Sequence, residues 1–394
     1  MSLSGQQTQY SVNNPSPISQ LRAPRGFVLL NSINVPWESF EVSNSRYSSA
    51  STFRVTIPVS SLPKTLPLPI LLQSSPLKVQ INGGIPQQVV ANNATPSDVP
   101  LLVLGSADDL KLDIENTHIL ISGRDYVAYF QEKKVKATIY QAPDIDLASI
   151  QNLTSSQVVT QLATTNSLSS QVTNTTTQVG VIFQNNAALL NSLITEWDLI
   201  VFLARQENFD TFVIGSTLYF QPRSSTALPY QITIAVPYYT TTASLPVTNV
   251  EQITFTRNYR LAKNIIVNVS SWNINDKVTY NATATLIHKV TLPKDTQTYY
   301  FQFANLSQDQ CKQKAQALLQ EISQHEMTVN IRMPADNLVT PQSSIAVKGT
   351  GTIFDQSYYV KNITREMNFN GGFTMNIEAN NQTPYSVTIS NATD

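Results

Sequence analysis

Residues able to do chemistry are sparse in this sequence. Histidine occurs three times, at His118, His288 and His325, and cysteine once, at Cys311. A metal site needs three or four converging ligands, and no two of these side chains share a metal-ligand spacing. His118 opens a strand pattern, and His325 ends a helical one, where an imidazolium suits the helix dipole. Cys311 belongs to the apolar face of a helical pattern and no Gly-x-Ser-x-Gly elbow occurs, so nucleophilic catalysis has no candidate. Paired carboxylates could support glycoside hydrolysis. The pairs available, Asp108-Asp109 and Asp144 with Asp146, stand in turn and helix-start contexts where Asp is ordinary local chemistry. Gly349-Thr350-Gly351 joins strands and is not a dinucleotide-binding loop. The reading is of a protein with no catalytic, cofactor-binding or metal-binding residues: not an enzyme, and without a cofactor.

The composition points the same way. Of 394 residues only 13% are charged, the net charge is −1, and 41% are hydrophobic. No cluster of Lys and Arg offers a footprint for nucleic acid or an acidic membrane. Low charge suits a surface covered by other subunits, since interface cores deplete Lys, Glu and Asp; it suits an Asn/Thr-rich soluble protein equally. A single cysteine allows no intrachain disulfide. The first twenty residues have neither the basic nor the apolar region of a secretory signal. The best apolar run, Leu66 to Leu72, is interrupted by Pro67 and Pro69, far short of the ~20 residues that span a bilayer. The Asn-x-Thr triplets at Asn281 and Asn362 are what an Asn- and Thr-rich chain produces by chance.

The stretch on which the chain is organised is Ile194 to Pro222. Ile194, Trp197, Ile200, Val201, Leu203 and Ala204 return at three- and four-residue steps, which predicts a helix with one apolar face. The period then becomes two, with Phe212 and Ile214 before Gly215-Ser216 and Leu218 and Phe220 after it: a hairpin.

Around this centre the sequence divides into a polar, Pro-containing arm (1–24), a first β unit (25–142), a central α/β unit (143–227), a second β unit with a packed helix (228–380) and a tail (381–394). In the first β unit, strands are predicted at Phe27, Ser39 to Val42, Phe53 to Val59, Leu77 to Ile81, Pro100 to Leu104 and Leu110 to Ile114. Asp108-Asp109 reads as a turn there, and the Pro-rich segment before Leu77 as a loop. Asp125 is placed to cap a short helix from Tyr126. In the middle unit, helices are predicted around Val158 to Ala163 and from Ala187 to Asn208. In the second, Ser307 with Gln310 forms a capping box ahead of Cys311, Ala315, Leu318, Leu319 and Ile322. Met327, Val329, Ile331 and Met333 alternate, and Asn370-Gly371-Gly372 turns the chain into Phe373, Met375 and Ile377.

Three segments together resemble the late control protein D family, the baseplate hub proteins of contractile-tailed phages, related to the hub part of VgrG spikes of type six secretion. They are Glu196-Trp197-Asp198 through Leu203 and Ala204 with Gly215 and Tyr219; Gly123-Arg124-Asp125 at the end of a strand; and a helix, strand and Pro turn followed by Gly349, Gly351 and the strand at Tyr359. Arg124 reads either as an assembly contact or as a turn-bracing arginine, and all these residues as structural motif positions. The resemblance implies a mainly β, α+β fold: two tail-tube-like β-barrels separated by the small α/β domain. It implies a homotrimer of pseudo-six-fold symmetry, binding tail tube subunits on one face and a trimeric central spike on the other. Baseplate wedge and tape-measure proteins are further implied partners. Neither nucleic-acid binding nor direct membrane insertion is implied. The site would be the virion tail, after synthesis in the host bacterial cytoplasm. Because the chain ends soon after Asn380, the spike would be a separate polypeptide. Two other readings compete: host-carbohydrate binding through Tyr238-Tyr239 or Tyr358-Tyr359, and cell-wall hydrolysis.

Overall fold

The computed structural model describes residues 23–46, 49–86, 94–135, 152–176, 178–180, 194–207, 209–222, 229–235, 247–259, 263–274, 276–287, 296–323, 326–381 and 387–390. Residues 1–22 of the arm, Asp144, Asp146, Tyr238, Tyr239, His288, His325 and the first part of the predicted helix from Ala187 lie outside them.

The chain opens with β1 (Arg25–Leu30), β2 (Ile33–Val35), β3 (Ser39–Ser45) and β4 (Thr52–Pro58), then a helix α1 (Leu68–Gln73), β5 (Lys78–Gly84), β6 (Leu101–Asp113) and β7 (His118–Asp125). A middle unit follows: α2 (Val127–Glu132), β8 (Lys134–Val135), α3 (Ser155–Thr165), β9 (Ser169–Val172), β10 (Ile194–Thr195), α4 (Glu196–Glu207), β11 (Phe209–Ile214) and β12 (Thr217–Pro222). Then come β13 (Tyr230–Ala235), β14 (Val247–Thr248), β15 (Gln252–Arg257), β16 (Asn264–Asn273), β17 (Val278–Leu286), β18 (Thr296–Ala304), α5 (Gln308–Ser323), β19 (Met327–Pro334), β20 (Ser344–Lys348), β21 (Ser357–Asn368), β22 (Gly372–Asn381) and β23 (Val387–Ser390).

The fold is mainly β with an α/β insert, as expected. Strands of the two β units, however, join in one large sheet. Fourteen strands join through the pairing of β3 with β21, where Phe40 lies opposite Met367 and Val42 opposite Arg365. A single apolar core accordingly takes Val42, Val55 and Ile121 from the first unit and Val329, Ile363 and Ile377 from the second. One polar exception sits in this seam. Arg365 is buried and donates to the carbonyls of Asp336 and Val339 and to Asn44 Oδ1, tying the 335–343 connection to the sheet.

Local departures from the sequence reading have identifiable causes. Asp108-Asp109 is not a turn: β6 runs on through it, and the register shifts between Ala107 and Asp109, leaving Asp108 as the extra residue of a bulge. The Pro-rich segment holds α1, because Pro67 caps it and Pro69 lies in its first turn, where no helical N–H is required. The short helix starts at Val127, one residue beyond the expected position, and Tyr126 rather than Asp125 stands at its N-cap, although Asp125 Oδ1 accepts the Val127 N–H.

In the middle unit Thr154 and Gln157 form a capping box for α3, and α4 starts at Glu196 on reciprocal bonds between Thr195 and Asp198 (2.9 and 3.0 Å). Leu218 and Phe220 are buried, but their partners across the hairpin are Val213 and Thr211, not Ile214 and Phe212. Directly opposed residues share a face. Phe212 therefore stacks on Tyr219 on the other side (4.9 Å), and Ile214 is exposed.

The helix α5 does not lie on the large sheet. It packs on β16 and β17 of a separate four-stranded sheet, ordered β18-β16-β17-β23, with Cys311, Ala315 and Leu319 buried against Val267, Val269 and Ala284. Residues 387–390 of the expected tail are the last strand of this sheet.

Candidate functional site

Strand alternation gives the large sheet one apolar and one polar face, and the pairings carry the polar face across both β units. One row of opposed residues reads Gln252, Arg332, Asn376, Thr364, Ser43, Thr52, Arg124 and Ser106, from β15 through β19, β22, β21, β3, β4 and β7 to β6. A second row reads Thr374, Glu366, Glu41, Arg54, Ser122 and Asp109. No apolar side chain interrupts either. Between β15 and β21 this face dips into a groove of about 410 Å³ lined by Thr254, Asn330, Asn362 and Asn376.

Charges on the face are balanced. Arg332 lies 3.5 Å from Glu251, Lys361 2.6 Å from Glu378, and Glu41 stands opposite Arg54. Such a surface is hydrated and has no net sign with which to hold a polyanion.

The motif residues do not converge on one site. Gly123 sits where β7 meets the bulge; a Cβ there would lie 2.1 Å from the Ser106 carbonyl oxygen, so only glycine fits. Arg124 then forks onto Asp108 at 2.7 and 3.0 Å and reaches Glu132 at 3.2 Å, which binds the bulge of β6 to the end of α2. Arg124 thus pairs with carboxylates at a bulge, where a turn was expected. Asp125 is buried and accepts from the backbone N–H of Ser51 (2.9 Å) and Val127 (3.0 Å). Burial pushes its carboxyl up to about 6 against the opposing pull of those hydrogen bonds.

Trp197, Leu203 and Ala204 are buried inside the middle unit, with Trp197 against Phe130 (5.9 Å), while Asp198 is spent on the helix cap. Gly215 takes φ +59 at the hairpin turn. Gly349 (φ +94) passes so close to the Ile234 carbonyl that no Cβ is admitted, and Gly351 N–H donates to Asp355 at 2.9 Å. Burial raises the Asp355 carboxyl, but bonds from Thr350 and Gly351 outweigh it and hold the group below the usual range.

Tyr359 also joins two units. Its ring lies under the Arg46 guanidinium (4.7 Å), and Arg46 in turn bonds Asp210 of the hairpin at 3.1 Å. Sequence reading missed Arg46, Asp210 and Asp355. Only their spatial partners distinguish them from ordinary strand-end and turn residues.

The other chemical candidates resolve as follows. His118 contacts Glu38 at 2.6 Å, Cys311 is buried with its thiol pushed up by burial, and Asp108 is engaged by Arg124. Among the described residues no group of three or more His, Cys, Asp or Glu could hold a metal, and no helix is long and apolar enough to cross a membrane. Tyr358 is wholly buried and donates to the Phe354 carbonyl, so the pair Tyr358-Tyr359 offers no sugar-stacking platform.

No protein-family model matches the chain, and no curated protein sequence does. Solved structures are similar to it. The tail protein from Neisseria meningitidis MC58 superposes with a TM-score of 0.61 at 10% identity, over 91% of this chain and 96% of that one. The 43 kDa tail protein of prophage MuSo2 from Shewanella oneidensis gives 0.60 at 11% identity, over 90% and 97%. Prophage tail protein gp18 from Listeria monocytogenes EGD-e gives 0.53 at 10%, over 91% and 95%. At these identities the likeness is one of fold, shared with these tail proteins over about nine-tenths of the chain.

Proposed function

We propose that the protein is a structural baseplate hub of a contractile phage tail, a homotrimer that joins a six-fold tail tube to a trimeric central spike. The observation that carries this reading is the pair of polar rows that cross from one β unit to the other in a single chain, on the fold of tail proteins. Two β units per chain (25–142 and 228–380, about the α/β unit 143–227) in three copies present six to the tube, while the true symmetry stays three-fold for the spike. The hydrated, charge-balanced face suits the wall of a central channel, where a strong net charge would retain a passing polyanion. The contacts Arg124–Glu132 and Tyr359–Arg46–Asp210 tie the middle unit to the sheet.

In this role the protein is not an enzyme and uses no cofactor. It works in the virion tail, contacting tube subunits, the spike, and wedge and tape-measure proteins. Its motif residues Gly123, Arg124, Asp125, Trp197, Asp198, Leu203, Ala204, Gly215, Tyr219, Gly349, Gly351 and Tyr359 keep the units in shape and leave partner binding to other surfaces. Native mass spectrometry of the purified protein tests the assembly: a species of three 43.6 kDa chains is expected, and a monomer at micromolar concentration contradicts it.

A further inference from the structure

Among the described residues the four-stranded sheet ends at β18. On its helix-covered face, the side chains of β16 and β17 are sealed: Ile265, Val267, Val269, Ala282, Ala284 and Leu286 are at most 1% exposed. The same face of β18 carries Tyr299, Phe301 and Phe303, opposite Val267, Val269 and Ser271, and these remain half-buried. The apolar layer thus runs one strand further than its cover.

The backbone repeats the point. β18 pairs with β16, and among the described residues no strand pairs with its other side. It is nine residues long; over 297–304 it has no charge and no proline, and its register is free of bulges. Soluble folds blunt such edges with shortness, charge, proline or bulges. This molecule does so elsewhere: β2, β9, β14 and β23 have two to four residues, β11 carries Asp210 on an ion pair, and β15 ends on Arg257. β18 uses none of these devices.

We propose that residues 7–12 of the N-terminal arm, from the same or a neighbouring copy, add a fifth strand to the free edge of β18. From Met1 to Gln20 the arm has no charged residue, which matches an uncharged edge. Within it Thr8, Tyr10 and Val12 alternate with Gln7, Gln9 and Ser11, bounded by Gly5 and by Asn13-Asn14-Pro15. With Thr8, Tyr10 and Val12 on the helix side, the added strand covers Phe301 and its neighbours and leaves glutamines in water. Residues 13–24 form the tether and, fully extended, reach about 40 Å.

Residue-resolved hydrogen exchange on the full chain tests this. Consecutive amides of 297–303 are expected to be protected in the wild type. In Tyr10→Pro/Ser11→Pro every second one exchanges faster by about tenfold or more, while the amides facing β16 keep their protection and certify the fold. Tyr10→Asp gives the same pattern without altering the backbone. Alternating protection already present in the wild type overturns the proposal, as does full protection that survives both variants, since another strand then covers the edge.

Discussion

Phe40→Ala examines whether the two β units share one core. Phe40 is 1% exposed, packs edge-on against Trp37 (4.8 Å) and stands opposite Met367 at the β3–β21 seam. Removing a buried phenyl ring costs about 3–5 kcal/mol, the transfer free energy plus the cavity left by a close-packed surround. The neighbours that would have to close that cavity belong to both units. The loss therefore falls on the whole fourteen-stranded sheet. At about 1.4 kcal/mol per factor of ten, amides that exchange through opening of the sheet should speed up by roughly a hundred- to several-thousandfold, and by similar factors in β4, β7, β19 and β22. Native-state hydrogen exchange, read strand by strand, measures this. Acceleration confined to β4 and β7, with β19 and β22 unchanged, would mean two independent cores and would refute the reasoning.

Trp197→Ala should cost about 3–5 kcal/mol within the middle unit, seen as loss of protection in α3 and α4 with β21 and β22 unaffected; a cost under about 1 kcal/mol would show that Trp197 does not hold α4. Arg124 and Asp108 are about one-third exposed, so a double-mutant cycle should give a coupling of about 1 kcal/mol or less. Normal stability with lost assembly in Arg124→Ala would instead make it a contact residue. Asp125, with its carboxyl pushed up to about 6 by burial, binds its proton more tightly folded than unfolded. The wild type should thus gain stability relative to Asp125→Asn as pH falls from 7 through 6 towards 4. Denaturant titrations at pH 7 and pH 5 whose difference is pH-independent would refute this.

Local periodicity carried much of the fold. The alternation of Met327, Val329, Ile331 and Met333, the Ser307–Gln310 box and the α4–hairpin unit were legible because each rests on residues within a few positions of one another. What was not legible depends on pairing at long range. Nothing local tells β3 that its neighbour is β21, some three hundred residues away, so the union of strands from two expected units in one sheet was out of reach. The bulge at Asp108 reads as a turn until β7 is laid beside it, and the inward face of β11 is set by its opposition to β12, since Phe212 and Ile214 are as apolar as the residue that is buried. Arg46 and Arg365 look like surface arginines in sequence. They are buried because Asp210 and Tyr359, and the carbonyls of Asp336 and Val339, receive them. Gly123-Arg124-Asp125 was legible as a motif, while its division of labour required the bulge to be seen.

The central claim is that three copies of this two-unit chain close a ring of six β units. Electron cryo-microscopy of the purified protein addresses it without any partner. Class averages down the axis should show six β lobes in a ring around an open channel, with three-fold order when the α/β units are included and the row from Gln252 to Thr52 facing the channel. Particles of two-fold symmetry, a ring of three lobes, or a ring with that row turned outward would contradict the account.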